Sequence, residues 1–142
     1  MTVKNKTLKI IDLWLPPLLW AALIFHFSSG TIPLASQVYW QDFTIKKTGH
    51  VLLFGVLAVL VYRALRGEGL SRKKAALWSI AIAFFYGGTD EFHQRFTQGR
   101  EATVRDVFID GFGAGIIIYL IYQFLPKLPK KIQKFLLEFN LD

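Results

Sequence analysis

The chain has 142 residues, of which 53% are hydrophobic, 15% aromatic and only 19% charged, with a formal net charge of +7 and a positive mean hydropathy. A soluble domain of this size is usually more polar, so the composition points to an integral membrane protein with no room for a second, soluble domain. Cysteine is absent, which excludes disulfides and leaves the compartment unread from redox chemistry.

A helix needs about 20 mostly apolar residues to cross a hydrocarbon core of about 30 Å. Four stretches are candidates: residues 10–27, 48–62, 75–92 and 107–125. The first follows Lys4, Lys6 and Lys9 and ends near Ser28-Ser29-Gly30. It is long for the apolar stretch of a signal peptide and is read as a span. Pro16 and Pro17 predict a break or kink in it, because proline lacks the N–H that a helix interior uses. The second stretch is short unless Lys47 and Arg63 extend it by reaching to the interfaces, and Lys47 and His50 share a face at its start. Arg66-Gly67-Glu68-Gly69 then makes a short turn suited to an antiparallel helix pair.

On the third stretch, helical spacing stacks Tyr86, Asp90 and either His93 or Gln94 along one stripe, with Glu91 beside it. A tight loop at 96–103 follows, in which Gly99 is suited to a turn next to Arg100. Asp106, Asp110, Gly113 and, less directly, Arg105 form a stripe on the fourth stretch. There Gly111, Gly113 and Gly115 let neighbouring helices come close. The tail from residue 128 alternates basic and apolar residues, and Ile132, Phe135, Leu136 and Phe139 share a face. It reads as an interfacial amphipathic helix with Lys130, Lys131 and Lys134 toward the head groups. The expected fold is therefore all-α: a bundle of four transmembrane helices over residues 1–127 and an amphipathic tail over 128–142.

Basic residues precede the first span, bracket the turn between the second and third, and follow the fourth. By the positive-inside rule these regions are cytoplasmic, which makes the protein a multi-pass plasma-membrane protein with both termini inside. The net charge is then a topology signal, and its dispersal over membrane-flanking loops argues against nucleic acid as a partner.

Ionisable groups that face hydrocarbon are costly and need a reason. Asp90, Glu91 and His50 are candidates for proton transfer, with a carboxylate as general base and the imidazole as shuttle. Arg100 suits a bidentate grip on phosphate or carboxylate and Lys47 a point contact. Gln94, Arg105 and Asp106 complete the candidate substrate contacts. Asp90, Glu91, Asp106 and Asp110 also supply oxygen ligands for a divalent cation such as magnesium or calcium. A plainer reading pairs these charges across helices to fix the register of the bundle.

Lys47-x-x-His50, Asp90-Glu91-x-His93-Gln94, Gly99-Arg100, Asp106 and Gly111-x-Gly113-x-Gly115 together resemble the motif pattern of the VanZ-like family, small membrane proteins named for teicoplanin resistance. The resemblance covers nearly the whole chain apart from its tail. Asp110 stands where that family often has asparagine, and His93 where it is usually apolar or variable. The resemblance implies action at the outer leaflet on the phosphate or carboxylate head group of a membrane lipid or lipid-linked cell-wall precursor, by an enzyme or by a protein that binds and shields the group. An ion or proton path, completed by a homo-oligomer, is the third alternative.

Overall fold

The computed structural model describes residues 3–30, 36–98, 100 and 103–141, without the side chains of 3–5 and 135. The expected turn at Gly99 and the packing face of Phe135 lie outside the described residues. Among the described residues the chain forms α1 (Val3–Ser28), α2 (Tyr39–Gly67), α3 (Arg72–Gln94), α4 (Val104–Phe124) and α5 (Lys130–Glu138), with a 3-10 turn (Leu125–Lys127) before α5. No strand occurs among them.

α1 runs unbroken through Pro16 and Pro17, against the expectation of a break. The reason is local. Pro16 has no N–H for the carbonyl of Asp12, and that carbonyl instead accepts a hydrogen bond of 2.9 Å from Nη1 of Arg63 on α2. The same guanidinium donates through Nη2 to the Asp12 carboxylate at 2.8 Å, so one side chain repairs the backbone and ties α1 to α2.

α2 starts at Tyr39, well before the expected residue 48, and Lys47 and His50 therefore lie inside the helix. Asp42 in its first turn complements the helix dipole and pairs with Lys46 at 2.7 Å, one turn on. The turn after α2 closes on Gly69 in a left-handed conformation (φ 92°), and Ser71 then caps α3 by accepting from the Lys74 N–H.

Among the described residues, three segments are long and apolar enough to cross a membrane: Lys6–Ser28, Tyr39–Gly67 and Val104–Lys127. α3 has comparable length, about 34 Å at 1.5 Å per residue. Its apolar middle, however, lies between Arg72-Lys73-Lys74 at one end and Asp90-Glu91 at the other.

α4 packs against α2 and α3, and α1 lies mainly on α2. Close approach of α2 and α4 depends on Gly113, where a Cβ would stand 2.8 Å from the Val51 Cα. Gly115, expected to serve the same purpose, faces nothing within 4 Å. Toward the α2–α3 turn the helices meet through Ala58, Tyr62, Ala75, Ala83, Ala114 and Ile118. A second cluster of Ile24, Phe54, Leu57 and Val61 seats α1 against α2. Trp20 and Tyr86 add hydrogen bonds to the Leu53 carbonyl (2.9 Å) and the Ala21 carbonyl (2.6 Å).

Candidate functional site

Toward the other end, where α3 hands over to α4, the same helices bury Asp90, Glu91, Gln94, Asp106 and Asp110. Helical spacing explains the alignment. Asp106, Asp110 and Gly113 fall on one buried stripe of α4, facing Lys47, His50 and Val51 of α2.

Two cross-helix pairs form there. Lys47 Nζ lies 2.6 Å from Asp106 Oδ2, and His50 Nδ1 lies 3.1 Å from Asp110 Oδ1. On α3, Asp90 turns toward α1. Its Oδ2 accepts from the Ser28 hydroxyl and from Gln94 Nε2, each at 2.8 Å. Glu91 faces α4 and accepts from the Thr103 backbone N–H at 3.0 Å, which caps that helix. The two adjacent carboxylates thus serve different neighbours, and Gln94, not His93, completes the Asp90 stripe. His93 contacts Ser29 at 3.1 Å and lies against the Phe25 ring at a tilt of 32°.

Each of these carboxylates keeps one buried oxygen without a hydrogen-bond partner: Asp90 Oδ1, Glu91 Oε1, Asp106 Oδ1 and Asp110 Oδ2. Buried unpaired acceptors are expensive and call for a partner such as a water or an ion. His50, Glu91 and Asp110 come closest to a common centre, with one potential ligand atom from each inside a 4.8 Å span. The cluster therefore does not follow the expected all-oxygen set of Asp90, Glu91, Asp106 and Asp110.

The cations have separate tasks. Arg100 does not present an open fork: its Nε donates to the Gly30 carbonyl at 2.9 Å and its Nη2 to the Phe27 carbonyl. It thereby satisfies carbonyls at the end of α1. Burial pulls its pKa down from the ordinary arginine value, against the opposing pull of Asp90 and Glu91. Lys47 is committed to Asp106. Arg105 is mostly exposed, stacks over Phe43 and stands 3.8 Å from Asp106 Oδ1.

Two hollows open between α3 and α4. The larger, about 760 Å³, is lined chiefly by Leu77, Ile80, Phe84, Phe85, Phe108 and Phe112, with Arg105 at its rim. Nearer the α3–α4 connection a separate cavity of about 240 Å³ is bordered by Gly88, Glu91, Phe92, Arg95, Thr103 and Val107.

Comparison with protein-family models matches residues 8–126 to the VanZ/LLP1 family. The chain belongs to that family. No curated protein and no solved structure matches it significantly. VanZ/LLP1 membership and the three apolar helices identify a membrane protein, and such membership accords with an association with teicoplanin resistance.

Sequence reasoning passed over Ser28, Thr103 and Arg95 in this VanZ/LLP1 protein. Ser28 looked like the end of a span, and its link to Asp90 crosses 62 positions of sequence. Thr103 acts through its backbone, which carries no residue signature. Arg95 had a usable signal: it follows the acidic cluster by one helical turn, at the end of α3.

Proposed function

We propose that this VanZ/LLP1 protein spans the plasma membrane four times with both termini cytoplasmic, and that its outward end binds the anionic head group of a lipid or lipid-linked cell-envelope precursor. Charge asymmetry supports the orientation. Of the 17 lysines and arginines, five (Lys46, Lys47, Arg95, Arg100 and Arg105) belong to the α3–α4 end and the other twelve flank the opposite one. α5 then lies along the inner leaflet with its lysines toward anionic head groups.

The observation that carries the ligand class is the α3–α4 groove. An apolar trough lined by Phe84, Phe85, Phe108 and Phe112, with Arg105 on its wall, lies about one helical turn from a small cavity bordered by Arg95 and Glu91. An acyl chain fits the trough, a phosphate or carboxylate fits between the two arginines, and Glu91 is the carboxylate beside it suited to accept a proton from the bound group. Recognition of this kind gives a membrane-level route to the teicoplanin-type tolerance that the family association suggests. A shielding protein would need the groove but not Glu91. An ion path is disfavoured by the packing toward the α2–α3 turn: beyond Asp110 the buried side chains among the described residues carry no charge, being Ala58, Tyr62, Ala75, Ser79, Ala114, Ile118 and their neighbours.

The test is native mass spectrometry of the full chain extracted with its surrounding lipid. One anionic lipid should stay bound per chain and be lost in Arg95→Gln/Arg105→Gln. Equal retention of zwitterionic lipid, or retention by the double variant, would overturn the reading. Incubation with labelled anionic lipid separates enzyme from binder: Glu91→Gln should abolish product formation while leaving the lipid bound.

A further inference from the structure

We propose that His50, Glu91 and Asp110 form a binding site for a divalent transition cation, with zinc and manganese as the best-fitting ions. The three residues come from α2, α3 and α4, and one potential ligand atom from each lies inside a 4.8 Å span. Atoms bound to one such ion at about 2.1 Å stand about 3 to 4.2 Å apart, and the His50 Nδ1 to Asp110 Oδ1 separation of 3.1 Å is already in that range. Glu91 supplies the third atom within the same 4.8 Å span.

The second observation is independent of proximity. Asp110 is completely buried and Glu91 is 4% exposed, yet Asp110 Oδ2 and Glu91 Oε1 accept no hydrogen bond. Of the nearby cations, Lys47 is paired with Asp106 and Arg100 with carbonyls at the end of α1. Two carboxylates and a neutral imidazole around a dication sum to zero charge, which removes most of the cost of burying either carboxylate.

Ligand chemistry selects the ion. Magnesium and calcium prefer all-oxygen sets, whereas one imidazole nitrogen with two carboxylates suits zinc or manganese. Asp90 and Asp106 stay outside the set, the first held by Ser28 and Gln94 and the second by Lys47. Three protein ligands leave at least one coordination position open. Glu91 also borders the 240 Å³ cavity, so water or a ligand has a path to that position. The site stands whether or not a lipid head group occupies the groove; with the ion bound Glu91 acts as its ligand, and the proton-accepting role proposed for Glu91 applies to the ion-free protein.

Tag-free full-length protein, stripped with chelator and dialysed against micromolar zinc or manganese, should retain one ion per chain and gain thermal stability. The manganese-loaded protein should show nitrogen-14 coupling from one imidazole in pulsed electron paramagnetic resonance. That coupling should persist in His26→Gln/His93→Gln and vanish in His50→Gln, while Asp110→Asn and Glu91→Gln should each weaken binding by about tenfold or more. Substoichiometric metal in the wild-type protein, or bound manganese without nitrogen coupling, overturns the proposal. Should His50→Gln fail to fold, the wild-type coupling and its persistence in His26→Gln/His93→Gln decide the question.

Discussion

Toward the α2–α3 turn, α2, α3 and α4 meet through Ala58, Tyr62, Ala75, Ala83, Ala114 and Ile118, whereas toward the α3–α4 end the same three helices meet through Lys47–Asp106, His50–Asp110 and Glu91. In a bilayer the first kind of contact is sufficient to associate helices, because small side chains let backbones approach and pack well. The second kind carries a desolvation cost that packing does not require. The difference separates what holds the bundle together from what it holds together for. Toward the α2–α3 end Arg63 is matched to Asp12, and the one buried side-chain atom without a partner among the described residues there is Arg72 Nε. Toward the other end, four carboxylate oxygens are left over.

The largest effect should come from breaking a matched pair at the polar end. Lys47→Met leaves the Asp106 carboxylate, which is 7% exposed, with only the exposed Arg105 guanidinium 3.8 Å away, and should cost up to about 3–5 kcal/mol in reversible unfolding in detergent. Lys47→Met/Asp106→Leu should recover most of the loss, because an apolar pair of similar volume needs no desolvation. If the double variant stays as unstable as the single one, the pair is needed for more than charge compensation, and the contrast between the two ends weakens.

A smaller loss tests the close-packed contact. Gly113→Ala places a methyl 2.8 Å from the Val51 Cα, and backbone cannot yield as a side-chain tip can. About 1–3 kcal/mol is expected from such overpacking. Gly115→Ala meets open space and should be neutral or slightly stabilising, since alanine is the better helix former. Equal losses at the two positions would mean that α2 and α4 are not in the contact described.

These two experiments also mark the boundary of what the sequence disclosed. The long apolar runs revealed α1, α3 and α4 and their order, since periodicity and length are local properties. The start of α2 was missed because Asp42, Lys46 and Lys47 look like a solvated loop, and only the Asp42–Lys46 pair along one face shows them to be helical. The acidic stripe on α4 and its facing residues Lys47 and His50 followed from spacing alone. What did not follow was the division of labour between Asp90 and Glu91, because it depends on which helix lies on each side of α3. The same limit explains Arg100: its charge and position suggested a ligand fork, and its commitment to the carbonyls of Phe27 and Gly30 is a property of how α1 ends.

The smallest expected effect sharpens the comparison at the α2–α3 end. Arg63 supplies the donor that Pro16 withholds from the Asp12 carbonyl, and it also donates through Nε to the Phe139 carbonyl at 3.1 Å. Arg63→Met removes these bonds and should cost about 1–2 kcal/mol, the scale of a few hydrogen bonds that water at this rim partly replaces. In Pro16→Ala the helix regains its own N–H for the Asp12 carbonyl, so the loss on adding Arg63→Met should be smaller than in the parent. A double-mutant cycle on unfolding free energy reads this difference directly. A coupling of about 0.5 kcal/mol or more between positions 16 and 63 would show that this arginine serves the backbone. Zero coupling would assign its effect to the Asp12 carboxylate and the Phe139 carbonyl instead. Such a result would remove the clearest example of a polar group whose work is entirely structural, and with it the sharpness of the contrast to the unmatched carboxylates at the other end.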